Sequence, residues 1–192
     1  VPMVLGSAST YLPGGLGGYA GRRIEAGDCL MAAPLDEDAV QRAGRIWPQQ
    51  KRPSYSSHAT VRVIAGPQWP QFSREAQATF LSAEYHVQPA SDRVGLRLQG
   101  PALQRLASGE MISSGVVAGS VQVPADGWPI VLGADRQTAG GYPQIAVVIG
   151  PDLSLLAQLG AGDSVSFQQV TLAEAVEAVR QERANEETAL MG

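Results

Sequence analysis

The chain has 192 residues, with 14 Lys and Arg against 18 Asp and Glu for a formal charge of −4, 44% apolar residues and one Cys. That is enough apolar material for a core in one or two domains. The longest apolar runs are too short to cross a bilayer, and an acidic chain without a basic run lacks the cationic face that nucleic acid selects. The lone Cys29 excludes an intrachain disulfide framework and a cysteine-only metal site, and fits a reducing, cytoplasmic home.

Along the chain, 22 Gly and 13 Pro punctuate short runs of β type. Residues 1–41 read as a β-rich segment that completes or precedes a barrel. Within it, residues 14–21 are Gly-rich, and Gly15, Gly17 and Ala20 meet a loose dinucleotide fingerprint. That motif needs a buried strand before it and a helix after it. Here Pro13 precedes and a β-like run follows, so a plain loop is the better reading. Residues 42–57, with Pro48, Pro53, paired Gln and three Ser, read as a linker or long excursion.

Residues 58–170 read as the barrel body. Val61, Val63 and Ala65 alternate with Arg62 and Ile64, and Val94, Leu96 and Leu98 alternate with Gly95, Arg97 and Gln99, the period of half-buried strands. Residues 73–81 suit a short helix. Val121 and Val123, then residues 130–132, flank a connection holding Asp126-Gly127, which favours a hairpin. Residues 145–149 are continuously apolar, as in a strand covered on both faces. Residues 151–159 start with Pro at a first helical position and stop at Gly160. Residues 164–170 form a last strand. Thr171-Leu172-Ala173-Glu174 is a capping-box pattern opening a C-terminal helix and tail over 171–192, with Leu172, Val176 and Val179 as its apolar stripe and fraying expected beyond Arg183. Few helices and many short strands predict a mainly β, closed or nearly closed barrel.

Several chemistries find no support. Lys51 is the single Lys and follows no Gly-rich turn, so a phosphate loop is absent. His58 and His86 read as a linker residue and a strand-edge residue, and the chain shows no metal-ligand spacing and no Gly-x-Ser-x-Gly elbow. The segment richest in chemistry is Asp135-Arg136-Gln137-Thr138-Ala139-Gly140-Gly141-Tyr142-Pro143. Arg136 can grip a carboxylate or phosphate in bidentate fashion, and Gly140-Gly141 can turn backbone N–H groups toward an anion. Asp135 can orient a substrate or accept a proton, and Tyr142 can donate a hydrogen bond. The competing reading is that Asp135 and Arg136 pair with other loop residues and hold a long turn rigid. Asp92, Arg93, Gly95 and Arg97 form either a surface charge ladder or the wall of an anion cleft, with Ser113 and Ser114 adding hydroxyls nearby.

The runs Gly66-Pro67-Gln68, Ser91-Asp92-Arg93-Val94-Gly95-Leu96-Arg97-Leu98, Gly119-Ser120-Val121-Gln122-Val123-Pro124 and residues 135–143 resemble the allophanate hydrolase subunit 2 family, also called biotin-dependent carboxyltransferase-like. The likeness covers Val1 to about Phe167. Ala139 stands where the family usually shows a second Thr, and Ala118 where it often has Pro. The resemblance implies a cyclophilin-like β-barrel and a place in an ATP-dependent 5-oxoprolinase complex that opens 5-oxoproline (pyroglutamate) to glutamate. In such a complex the chain works with a subunit 1-type protein, similar to the B component of 5-oxoprolinase, and with a third, lactam-utilisation-type subunit.

ATP is then needed by the complex as a whole, and this chain binds no metal. On that reading Asp135, Arg136 and Tyr142 are catalytic, while Gln137, Thr138, Gly140, Gly141, Arg93, Arg97 and Ser114 bind substrate. Two alternatives accompany it: the carboxyltransferase part of a biotin-dependent urea carboxylase, which needs a biotinylated partner, and a non-catalytic antagonist of a kinase inhibitor. Family chains also carry a substantial N-terminal portion ahead of the equivalent of Val1, so a truncated chain is expected.

Overall fold

The computed structural model describes residues 1–32, 34, 43–44, 46, 49–52, 54–106 and 111–190. The chain divides into two units, Val1–Ile46 and Trp47–Gly192. Of the expected 42–57 linker, Arg42, Arg45, Trp47, Pro48 and Pro53 lie outside the described residues.

In the first unit, β1 (Thr10–Tyr11) and β2 (Leu16–Gly17) form a two-stranded antiparallel ribbon with Thr10 opposite Gly17. Gly15, Gly17, Gly18, Ala20 and Gly21 all have positive φ, so the segment reverses in turns after β2 and starts no helix, which the dinucleotide fingerprint would require. Asp28 closes the following loop. It accepts from both Arg22 Nη atoms at 2.8 and 2.7 Å and from the Glu25 amide at 2.7 Å.

In the second unit the elements are β3 (His58–Ala65), α1 (Arg74–Ser82), β4 (Tyr85–Val87), β5 (Gly95–Gln99), β6 (Ser114–Gly115), β7 (Ser120–Gln122), β8 (Ile130–Leu132), β9 (Ala139–Gly140), β10 (Gln144–Val148), α2 (Leu153–Leu156), β11 (Ser164–Gln169) and α3 (Leu172–Leu190). Seven strands close a barrel in the order β10-β3-β11-β4-β5-β8-β7, while β6 and β9 pair separately. The mainly β barrel expected from the punctuation is thus the fold. Closure comes from β11, which runs parallel to β3 with Ser164 beside His58 and antiparallel to β4 with Ser164 beside His86.

The alternation in β3 buries Ala59, Val61 and Val63. Ala65 lies exposed at the strand end, because the chain leaves the sheet at Gly66. In β5 the expected period fails at its start. Val94 is exposed, Leu96 is half-buried and Leu98 is fully inside. Phe80 of α1 stacks on Phe167 of β11 at 4.4 Å, and both join Tyr85, Phe72 and the inward valines in one core. Helix α1 starts where Ser73 caps it, the Ala76 amide donating to Ser73 Oγ at 3.0 Å.

At the C-terminal helix the capping box forms as written: the Thr171 amide donates to Glu174 Oε2 at 2.7 Å and the Glu174 amide to Thr171 Oγ1 at 3.2 Å. The expected stripe is not the buried one. Leu172 is 68% exposed and Val176 42%, Val179 is half-buried, and Ala175 and Ala178 are buried against Ile149. Small residues let the helix lie close to the barrel, so Ala contacts take the place of Leu contacts. The helix also continues past Arg183 to Leu190.

Candidate functional site

The bend from 133 to 143 joins β8 to β10 and carries β9. Its first residues are clipped to the loop before β5. The Asp135 amide donates to Arg93 O at 3.0 Å and the Gly133 amide to Val94 O at 2.9 Å. Asp135 also accepts from Arg93 Nε at 2.7 Å and Nη2 at 2.9 Å. Bidentate geometry makes this a directional link although both side chains are exposed. The guanidinium holds the Asp135 carboxyl below its usual range, and the carboxylate raises Arg93 in return. Asp135 therefore pairs with a loop residue 42 positions away.

Two buried amides staple the bend from below. Gln122 and Gln144 sit opposite each other on β7 and β10, 1% and 3% exposed. Gln122 Nε2 donates to Tyr142 O at 3.3 Å, and Gln144 Nε2 donates to Gly115 O at 3.1 Å and Ser114 Oγ at 3.3 Å. The Gln144 amide donates in turn to Gln68 Oε1 at 3.0 Å. Gly140 packs directly on Gln122: a Cβ there would lie 2.6 Å from Gln122 Nε2. Sequence reasoning missed these three glutamines. The only available signal was a polar residue inside an apolar run, Gln122 between Val121 and Val123, and that pattern equally fits an outward position on a half-exposed strand.

Ser114 and Gly140 pair directly across β6 and β9, so the bend does bring these two expected residues together. Gln137 and Thr138 are exposed on it, with the Thr138 carbonyl accepting from the Val116 amide at 3.0 Å. Tyr142 is 50% exposed. Arg136 is half-buried, and its Nε is enclosed with no hydrogen-bond partner among the described residues. Arg97 points into solvent from β5. The two histidines converge on Glu84: His58 Nδ1 lies 3.1 Å from Glu84 Oε2 and 2.8 Å from Ser164 Oγ, and His86 Nε2 lies 3.8 Å from Glu84 Oε1. His58 opens β3 and is therefore a strand residue, not the linker residue its sequence neighbours suggest. Among the described residues no group of three His, Cys, Asp or Glu is placed to hold a metal ion, and no helix is long and apolar enough to cross a membrane.

A cavity of about 590 Å³ opens between the loop before β5, strand β8 and the α2 segment. Arg93 and Asp92 reach its wall; Asp135, Arg136 and Tyr142 do not line it. Its α2 side is anchored by Asp152, 5% exposed, which accepts from Arg62 Nε at 3.0 Å, Arg62 Nη2 at 2.6 Å and the Arg62 amide at 2.6 Å. Arg93 thus belongs both to the contacts of the bend, through its guanidinium, and to the residues that border the cavity.

Residues 1–169, the closed barrel included, match the family described as "Carboxyltransferase domain, subdomain A and B". The chain belongs to that family. It is 38% identical over 181 residues to the C component of 5-oxoprolinase from Escherichia coli, covering 93% of this chain and 55% of that protein. It is also 32% identical over 181 residues to the urea amidolyase of Saccharomyces cerevisiae, covering 87% of this chain and 10% of that one. The crystal structure of the K. lactis urea amidolyase superposes with a TM-score of 0.78 over 95% of this chain and 12% of that chain, at 24% identity, a likeness of fold. The chain spans about half the length of the 5-oxoprolinase component it matches.

Proposed function

We propose that this chain is the C-type component of a cytoplasmic, ATP-dependent 5-oxoprolinase, acting with a subunit 1-type protein and a lactam-utilisation-type subunit, and inactive by itself. The observation that carries the reading is 38% identity to the C component of a 5-oxoprolinase over 93% of this chain. Attack on a five-membered lactam places negative charge on the carbonyl oxygen before the C–N bond breaks, and 5-oxoproline brings a carboxylate of its own. The bend offers donors for such charge: Arg136, half-buried on it, and the amide of Gly141, which follows β9 on a bend fixed from below. On this reading Arg136 and Gly141 hold the anionic group, Gly140 ties the bend to Ser114 across β6 and β9, and Gln137 and Thr138 lie on the same bend. Tyr142 borders it, and Asp135 fixes the bend through Arg93.

The second reading, a carboxyltransferase acting with a biotinylated partner, draws on the 32% identity to a urea amidolyase. Reconstitution separates the two. ATP consumption that requires 5-oxoproline and ignores avidin supports the first, and avidin-sensitive turnover of urea replaces it with the second.

A further inference from the structure

The cavity beside α2 has a chemistry different from that of the bend. Leu96, Val131, Leu156 and Leu159 make its walls apolar. Small residues at Ala118, Gly133, Ala134, Ala157, Gly160 and Ala161 leave it open. Its volume of about 590 Å³ falls within the ~300–1,000 Å³ of small-molecule sites, which are apolar with a few placed polar groups. The charged residues on its wall are Asp92 and Arg93. Asp92 Oδ1 is turned to its own loop, accepting from the Val94 amide at 2.9 Å and the Gly95 amide at 3.2 Å.

Arg93 gives Nε and Nη2 to Asp135. A guanidinium has five N–H donors, so among the described residues three have no partner and can serve a guest. Its charge, however, is already balanced by Asp135, and Asp92 adds a second carboxylate to the rim. A guest with a carboxylate meets a rim that is negative on balance. A neutral carbonyl oxygen meets a fixed donor and brings no charge to desolvate.

We propose that this cavity binds an uncharged organic molecule with an apolar body and an amide or lactam carbonyl, the oxygen accepting from Arg93 and the body lying against Leu96, Val131 and Leu156. Asp135 is the positioning residue that holds Arg93 at the rim. The proposed guest differs from 5-oxoproline, which carries a carboxylate, so this site stands or falls separately from the turnover assigned to the complex.

The test is titration of the full chain by calorimetry and amide chemical-shift mapping, with 1-octyl-2-pyrrolidinone and with octanoate, each below its micelle threshold. The two probes share an eight-carbon tail and differ in head group. The lactam saturates, shifts the Leu96, Val131 and Ala157 amides, and binds about tenfold or more tighter than octanoate, while Arg93→Met weakens it by about tenfold or more, as expected for a hydrogen bond from a charged donor. Ala157→Trp, at an exposed lining position, fills the cavity and abolishes binding; Ala134→Trp, also exposed on the lining, does the same should the first variant misfold. Octanoate binding as tightly as the lactam, no saturable binding of either probe, or lactam binding untouched by both tryptophans overturns the proposal.

Discussion

At the scale of single residues, Gly140 and Gln122 act as one unit. A methyl at 140 would sit 2.6 Å from Gln122 Nε2. Gln122 is 1% exposed and committed to Tyr142 O, so it can yield only by giving up that bond. Gly140→Ala is expected to lose about 1–3 kcal/mol, the cost of stranding a buried polar group. Shortening the amide with Gln122→Ala makes room, so the double variant should lose clearly less than the two single losses combined, a coupling readable in denaturant unfolding. Additive losses would mean the contact does not exist.

Tyr85 offers the opposite case. It is 0% exposed and its hydroxyl has no partner among the described residues, and burial pushes its pKa from 10.0 up to about 12. Between those values the unfolded chain sheds a proton that the folded chain keeps, so stability is whole below pH 10 and falls as the pH rises toward 12. Tyr85→Phe removes the orphaned hydroxyl, stabilises the fold by about 1 kcal/mol and flattens the alkaline limb of the unfolding curve. A destabilised Phe variant would reveal a partner for that hydroxyl.

At the scale of elements, α2 is a single helical turn held by an ion pair. Asp152 is buried, whereas the Arg62 side chain is 38% exposed. Removing the cation strands a carboxylate inside the protein, and removing the anion leaves a guanidinium that water can still reach. Arg62→Ala is therefore expected to cost about 3 kcal/mol and Asp152→Ala nearer ~2 kcal/mol, the second lowered by solvent access. Equal losses in chemical denaturation would contradict this asymmetry. The Arg62–Asp152 pair was illegible in the sequence because its partners lie 90 positions apart.

Other elements could be read locally. The capping box of α3 is a four-residue signal and formed at Thr171 and Glu174. The face that α3 buries was not readable, since Leu172 and Val176 outrank Ala175 and Ala178 in hydrophobicity. Closeness of approach to Ile149 decided the outcome instead. The same division runs through the candidate site. The residue types of the bend were visible from 135 to 143, whereas Arg93 opposite Asp135 and Gln122 beneath Tyr142 depend on which strands become neighbours.

At the scale of the whole molecule, the barrel closes through the parallel pairing of β11 with β3. That closure brings residues from opposite ends of the second unit into one wall, and the paired glutamines of β7 and β10 hold the β6–β9 ribbon and the bend. Under the function proposed above, the bend presents Arg136 and the Gly141 amide to an anion. The decisive quantity is the rate of 5-oxoproline-dependent ATP hydrolysis by the reconstituted complex carrying Arg136→Ala, with assembly verified by size-exclusion chromatography. A loss on the order of 10²-fold in kcat with the complex intact is expected; a kcat equal to that of the unmodified complex refutes the role given to Arg136.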